Sequence, residues 1–357
     1  VRVLFALPGF HRYDRGAEVA LLSVARELAL GGEDVTVAGS GPPRDDTPYS
    51  YVSVPSVRRE NCEDLPTFPP FRSETAWEDA TFAFNLLRKA RLCQYDASVT
   101  CSFPFSHWAL RRHGRRGPAH VFVTQNGDWP AFCDDAEFGT FSCDGLVCTN
   151  PDYLSRNEHR WNCALIPNGI DLERFKPGPG ARHALGLPTE RPVILMVSAL
   201  IESKRVLDGI RAVAALTDAT LVVAGDGPMR QEVTRLGEKL LPQRFKLVSL
   251  SAQDMPDLYR SADVFLHLSL LESFGNVFLE AWASGLPVVG HESDRLRWIL
   301  GSRHYLCDTT NPAELHAALE TALSAQRTSS REGVERYSWA AVGSQYHRFI
   351  SHTLARR

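Results

Sequence analysis

Long apolar runs are missing from this sequence. No stretch of about 18 uncharged apolar residues occurs, so no transmembrane segment is expected. An excess of basic charge is missing too: 42 acidic residues against 39 basic ones leave a formal net charge of -3. That balance excludes a general nucleic-acid binder, whose basic footprint shows in the total. Lysine is scarce, five among those 39, a bias that reads as genomic background. Eight cysteines are present, seven of them before residue 164, and none has Cys-x-x-Cys spacing. Without that spacing and without a leader-like segment, a zinc site and a disulfide framework give way to free buried thiols and a cytoplasmic setting. The first strand-to-helix turn, residues 7–16, lacks Gly-x-Gly-x-x-Gly, which argues against a nicotinamide dehydrogenase.

What is present suits an α/β protein with two domains. The 357 residues, 44% hydrophobic and 23% charged, are enough for two separate cores. Residues 2–7 read as a buried strand, residues 16–30 carry helical periodicity through Val19, Leu22, Leu28 and Ala29, and residues 35–38 return as a strand. That βαβ opening belongs to a doubly wound sheet. Residues 41–73, rich in proline, aspartate and arginine, are too long for a simple connection. They are expected to form a mobile surface loop with one brief strand at 51–54. Arg111, Arg112, His113, Arg115 and Arg116 make the strongest basic cluster. It reads either as a landing patch for anionic lipid or a phosphorylated acceptor, or as a helix end decorated with cations. Asn126 and Asp128 follow the strand 121–124, at a carboxyl end where open α/β sheets place ligands. Asn126 can hold a hydroxyl but has no useful pKa for a base, whereas Asp128 stands as a possible base.

The most informative stretch is 271–289. It reads as a loop that enters a helix near Gly275, with Ser273 as N-cap, and stops at Gly285 and Pro287 before an apolar strand. A helix opened by glycine offers backbone N–H groups and the positive end of its dipole to a pyrophosphate. Glu272 and Glu280 bracket that anion site. At a rise of about 1.5 Å per residue they lie on the order of ten ångströms apart. Two carboxylates working on one bond need roughly 5 to 9.5 Å, so this pair suits hydroxyls at opposite ends of a nucleotide sugar. Further on, His291, Glu292 and Asp294 lack a partner at metal-ligand spacing, and no metal site is expected.

Two glutamates eight apart around Ser-Phe-Gly, followed by Ala-Trp-Ala-Ser-Gly-Leu-Pro-Val-Val, resemble the signature of the retaining glycosyltransferases of family 4, glycosyl transferases group 1. The resemblance spans nearly the whole chain, strongest over 164–289 and weakest over 41–73. It implies a GT-B fold of two doubly wound Rossmann-like domains facing a central cleft. An acceptor-side domain would cover 1–175 and a nucleotide-sugar donor-binding domain 190–337, with the last helix, 338–357, packing back on the first. Glu272 would face the donor sugar and Glu280 take the ribose hydroxyls, with Phe274, Gly275, Asn276 and Val277 as donor-binding neighbours. Gly16, in Arg15-Gly16-Ala17-Glu18, keeps one of the family's paired glycines and would let the backbone approach the donor phosphates.

Two positions depart from the family pattern. Relatives carry Gly-Arg-Leu four residues before a lysine, both cations clamping the pyrophosphate. Here Ser198-Ala199-Leu200 precedes Lys204, so the arginine is missing and Arg205 is the candidate substitute. Many relatives also carry a histidine in the place of Asn126. Glu272, Lys204 and Asn126 are the catalytic candidates that the resemblance supplies. The implied reaction is front-side, retaining transfer of a sugar from a UDP- or GDP-type donor to an unknown acceptor hydroxyl, with no metal or other cofactor. A bacterial, cytoplasmic enzyme is expected, with no nucleic-acid partner and at most peripheral membrane contact. Two other readings stay open: a non-catalytic GT-B partner subunit, for which Ala199 and Asn126 speak, and a nucleotide-sugar epimerase.

Overall fold

A computed structural model describes residues 1–133, 139–270, 272, 274–325 and 332–357. Within them the chain divides into two compact units, Val1–Gly169 with Trp339–Arg357, and Ile170–Ser338. In the first, β1 (Arg2–Ala6), β2 (Asp34–Gly39), β3 (Ser50–Ser53), β4 (Ala97–Thr100), β5 (Ala119–Val123), β6 (Gly145–Cys148) and β7 (Cys163–Leu165) form one parallel sheet in the order β3-β2-β1-β4-β5-β6-β7. In the second, β8 (Val193–Val197), β9 (Thr220–Ala224), β10 (Phe245–Val248), β11 (Val264–His267), β12 (Val288–His291) and β13 (Tyr305–Cys307) form another, in the order β10-β9-β8-β11-β12-β13. Both are doubly wound α/β layers. Helices cover both faces of such sheets, which is why the central strands read as unbroken apolar runs. Val3, Leu4, Phe5 and Ala6 of β1 are all buried, as are Val264, Phe265 and Leu266 of β11.

The strand order reverses between β1 and β4 in one sheet and between β8 and β11 in the other. Open parallel sheets leave a crevice beyond their carboxyl ends at such a point. Glu272 and Lys204 both follow strands that flank the second reversal.

The helix Trp339–Ala355 belongs to the first unit, whose core receives Val342, Tyr346, Phe349 and Ile350 from it. It runs against the helix Gly16–Leu30 so closely that a Cβ on Gly343 would fall 2.5 Å from Glu27 Cβ. A side chain at 343 would push the two helices apart.

The first unit ends at Gly169, short of residue 175, and the second begins well before 190. The reason is local. Ile170 N–H donates to Tyr337 O at 2.8 Å, and Phe175 and Leu187 are buried in the second unit's core. Arg182 ties the same segment to Asp263 and to the Ser261 carbonyl, 2.9 Å from its Nε.

In the segment 41–73 the brief strand expected at 51–54 is present as β3, and the chain has further local structure around it. β3 adds to the sheet edge beside β2, a single helical turn occupies Arg59–Asn61, and Phe68 bridges Phe71. Charge pairing holds it: buried Glu78 accepts from Arg59 at 2.8 Å and from Arg12 at 3.3 Å. Tyr13 Oη donates to Glu60 at 3.1 Å.

Candidate active site

Two strand ends build the site in the second unit. Beyond β8 the chain passes Ser198, Ala199 and Leu200, makes a single turn at Glu202–Lys204, and enters the helix Val206–Ala214. Beyond β11 it reaches Glu272 within five residues and then the helix Asn276–Ala283. Gly275 caps that helix with φ +87°, a conformation that costs an L-residue roughly 1–2 kcal/mol. A Cβ there would also fall 2.6 Å from the Phe278 ring. The first-turn N–H groups of a helix have no carbonyl one turn earlier, so its N-terminus faces the loop with donors and positive dipole. Ser273, expected as N-cap, and Leu271 lie outside the described residues.

Glu272 Oε1 is the meeting point. Lys204 Nζ makes a short ion pair with it, and His267 Nε2 lies 2.9 Å away. Burial alone would raise the Glu272 carboxyl, but the hydrogen bonds from His267 and Lys204 outweigh it and hold the group at about 2. Glu272 is therefore a carboxylate at any physiological pH. His267 is buried, stacked parallel to Phe265 with 6.2 Å between ring centroids and edge-on to Phe278 at 5.0 Å. Its Nδ1 has no hydrogen-bond partner in this setting, so Glu272 is the group its other ring nitrogen meets.

Glu280 sits one turn into the helix, half-buried. Its carboxyl is raised by burial, against a hydrogen bond of 2.7 Å from Tyr259 Oη and the nearby charge of Arg174. Tyr259 is fully buried. Phe274 is buried as well, edge-on to Trp298 and near Tyr337, so its ring anchors the loop. Asn276 and Val277 open the helix and are partly exposed.

Arg205 does not stand free beside Lys204. It has φ +53°, and its guanidinium donates to Asp208 at 2.9 Å, to Leu268 O at 3.3 Å, and to Thr309 Oγ1 and O at 3.0 Å each. Nε is thus held by Asp208, while Nη1 and Nη2 brace the end of β11 against Thr309. A phosphate would have to displace those contacts, which corrects the expectation of Arg205 as a ready substitute clamp.

In the first unit, Gly16 opens its helix without a side-chain cap. Glu18, two residues on, is buried against Gly9 in the turn after β1, with its carboxyl raised by burial. Asn126 is exposed after β5, its Nδ2 3.8 Å from Cys101 Sγ just past β4. Gln125 and Asn168 pin that turn through paired amides at 2.5 and 3.1 Å. Asp128, expected as a possible base, is instead buried with both oxygens taken: Arg156 reaches them at 2.8 and 3.0 Å and Asn157 Nδ2 at 2.8 Å. A buried carboxylate so paired acts first as the anchor of Arg156 and Asn157. Arg111 of the basic cluster pairs with Asp144 at 2.7 Å.

Sequence reasoning missed His267, Tyr259 and Thr309. The one signal for His267 was a basic side chain interrupting an apolar strand, five residues before Glu272. Among the described residues, no group of three or more His, Cys, Asp or Glu could hold a metal ion, and no helix is long and apolar enough to cross a membrane.

Known structures with the same architecture define the class. Sucrose-phosphate synthase from Thermosynechococcus elongatus superposes with a TM-score of 0.77 at 19% identity over 100% of both chains. Anabaena HepE, solved in complex with UDP-glucose, gives 0.74 at 17% identity, again over 100% of both. The fold is GT-B. The model of Glycosyl transferases group 1 matches residues 180–338 and that of Glycosyltransferase Family 4 residues 15–174, and the chain belongs to this family of glycosyltransferases. It is 28% identical to the D-inositol 3-phosphate glycosyltransferase of Corynebacterium glutamicum (strain R) over 92% of this chain and 90% of that one. Against further curated relatives the matched stretch is about half of their length.

Proposed function

We propose that the protein transfers a sugar from a UDP- or GDP-type donor to an acceptor hydroxyl with retention of anomeric configuration and without a metal ion. The observation that carries this reading is the ionised Glu272, held by Lys204 and His267 beside a helix N-terminus at the strand-order reversal. An acceptor-only carboxylate beside an anion-binding helix end suits one molecule that presents hydroxyls and phosphates together. In this reading Glu272 takes hydroxyls of the donor sugar, and Glu280, steadied by Tyr259, takes those of the ribose.

The chemistry follows from the charges. The bond between the anomeric carbon and the leaving diphosphate oxygen breaks, the acceptor oxygen bonds to the same face of that carbon, and the acceptor proton passes to a phosphate oxygen. Lys204 and the N–H groups at the start of the helix Asn276–Ala283 stabilise the departing charge, where a preorganised donor contributes roughly 2.7–4 kcal/mol. Asn126 orients a hydroxyl from the acceptor side. Retention follows from same-face attack, since no second carboxylate is engaged as a nucleophile.

A panel of UDP- and GDP-sugars, read by melting temperature and by release of nucleoside diphosphate in EDTA, tests the reading. Tight donors raise the melting temperature by mass action. Proton NMR of the product anomer tests retention. If no donor binds, or the product has inverted configuration, the reading is wrong.

A second reading, a non-catalytic partner subunit that keeps nucleotide binding, draws on Ala199 and on the engagement of Arg205 by Asp208 and Thr309. It expects donor binding without turnover under any acceptor, including extracts that contain the native one.

A further inference from the structure

The first unit holds a cavity that the donor chemistry does not use. Its walls come from the stretches 69–76 and 103–108, with Trp129 and Thr140. The bridge between Phe68 and Phe71 presents Pro69 and Pro70 at a turn, and Phe71 packs on Trp77 at 4.1 Å and on Phe105 at 4.7 Å between ring centroids. From Phe105 the aromatic contacts continue to Trp108 at 5.5 Å, then Phe103 at 6.0 Å, then Trp129 at 5.4 Å. Pro69, Pro70, Phe103, Trp108 and Trp129 border a cavity of about 490 Å³. That volume lies in the range of small-molecule sites, roughly 300–1,000 Å³.

Its polar groups are turned on one another. Ser73 and Thr75 share a hydrogen bond of 2.6 Å, and Trp108 Nε1 donates to Thr140 Oγ1 at 3.2 Å. Among the described residues the lining offers no carboxylate and no carboxamide, and Arg72 is its one charged side chain. A sugar ring needs such acceptors for its hydroxyls; a wall of rings and prolines suits carbon instead.

The cavity also adjoins the acceptor-side turn. Trp129 forms one wall, and its Cδ1 lies 3.3 Å from the place a Cβ would occupy on Gly127, next to Asn126. We infer that this cavity binds an apolar aglycone, aromatic or aliphatic, of the acceptor, and so presents the acceptor's hydroxyl beside Asn126. This rests on the glycosyl-transfer reading given above and names the acceptor class that reading leaves open. The acceptor is then an amphiphile, with a hydroxyl-bearing head and a carbon tail or ring seated between Pro70 and Trp129.

Calorimetric titration of the full chain with n-octyl β-D-glucoside, below its micelle concentration, and with methyl β-D-glucoside tests this directly. The octyl compound is expected to bind at least tenfold more tightly. Trp129→Ala, which opens the wall, and Thr75→Trp, which fills the space from an exposed position, should each remove at least fivefold of that preference. Both variants should keep the wild-type melting shift with UDP or GDP, which shows that they are folded. Equal binding of the two glucosides, or a preference untouched in both variants, overturns the inference. If the octyl preference behaves as expected while neither UDP nor GDP shifts the wild-type melting temperature, the apolar site stands and the donor reading falls.

Discussion

His267 Nε2 and Lys204 Nζ converge on the same oxygen of Glu272, the histidine from 2.9 Å. Two donors on one oxygen leave the other, Oε2, to meet a ligand, and they fix the charge of the group that meets it. The pair also makes Glu272 sensitive to changes it would not show as a lone surface glutamate.

His267→Phe keeps the aromatic packing and removes one donor. The Glu272 carboxyl, held at about 2 against an ordinary 4.5, should rise toward the ordinary value. Because the group is depressed in the folded state, its contribution to stability is full above the unfolded value and is lost as pH falls through about 2. The variant should therefore lose stability above pH 4.5 and show an acid limb of activity displaced upward. A pH–rate profile superimposable on the wild type would refute this.

Lys204→Ala should lower turnover by about a hundredfold, since it removes both a partner of Glu272 and a cation for the leaving diphosphate. Steady-state kinetics with the best donor measures it. Arg205→Ala, by contrast, should act mainly on stability, because Asp208, Leu268 and Thr309 absorb its guanidinium. A larger turnover loss in the Arg205 variant than in the Lys204 variant would reverse the two roles.

Glu280→Ala is expected to weaken nucleotide affinity with a smaller effect on turnover, and Glu272→Ala the opposite. Tyr259→Phe should follow Glu280 in kind, at about 1 kcal/mol, because it deprives a half-buried carboxyl of its hydrogen bond. Calorimetry with UDP and GDP separates binding from rate.

Asp128→Asn should cost about 1 kcal/mol of stability, since it takes one charged acceptor from the half-exposed Arg156 and leaves it the amide oxygen. Turnover at a temperature where the variant is folded should stay within a few fold of wild type. A hundredfold fall there would restore Asp128 as a base.

The parts that were legible in the sequence are those whose arrangement is local. Glu272, Gly275 and Glu280 lie within one turn-and-helix stretch, so their spacing carries their relation. β1, the helix Gly16–Leu30 and β2 are equally local. His267 was hidden because it ends an apolar strand and gains meaning only from a loop that doubles back on it. Arg205 and Asp128 were misread for the opposite reason. Their partners Thr309 and Arg156 stand 104 and 28 residues away, and no adjacent pattern announces them. The unit boundary was placed late because Ile170 finds its partner in Tyr337, across the whole second unit.

The same crossing has a consequence for synthesis. The second unit is one uninterrupted stretch, Ile170–Ser338, whereas the first needs Val342, Tyr346 and Phe349 to finish its interior. On the ribosome the later-made unit can reach its native state while the earlier-made one still waits for its last helix, reversing the usual amino-to-carboxyl order of maturation.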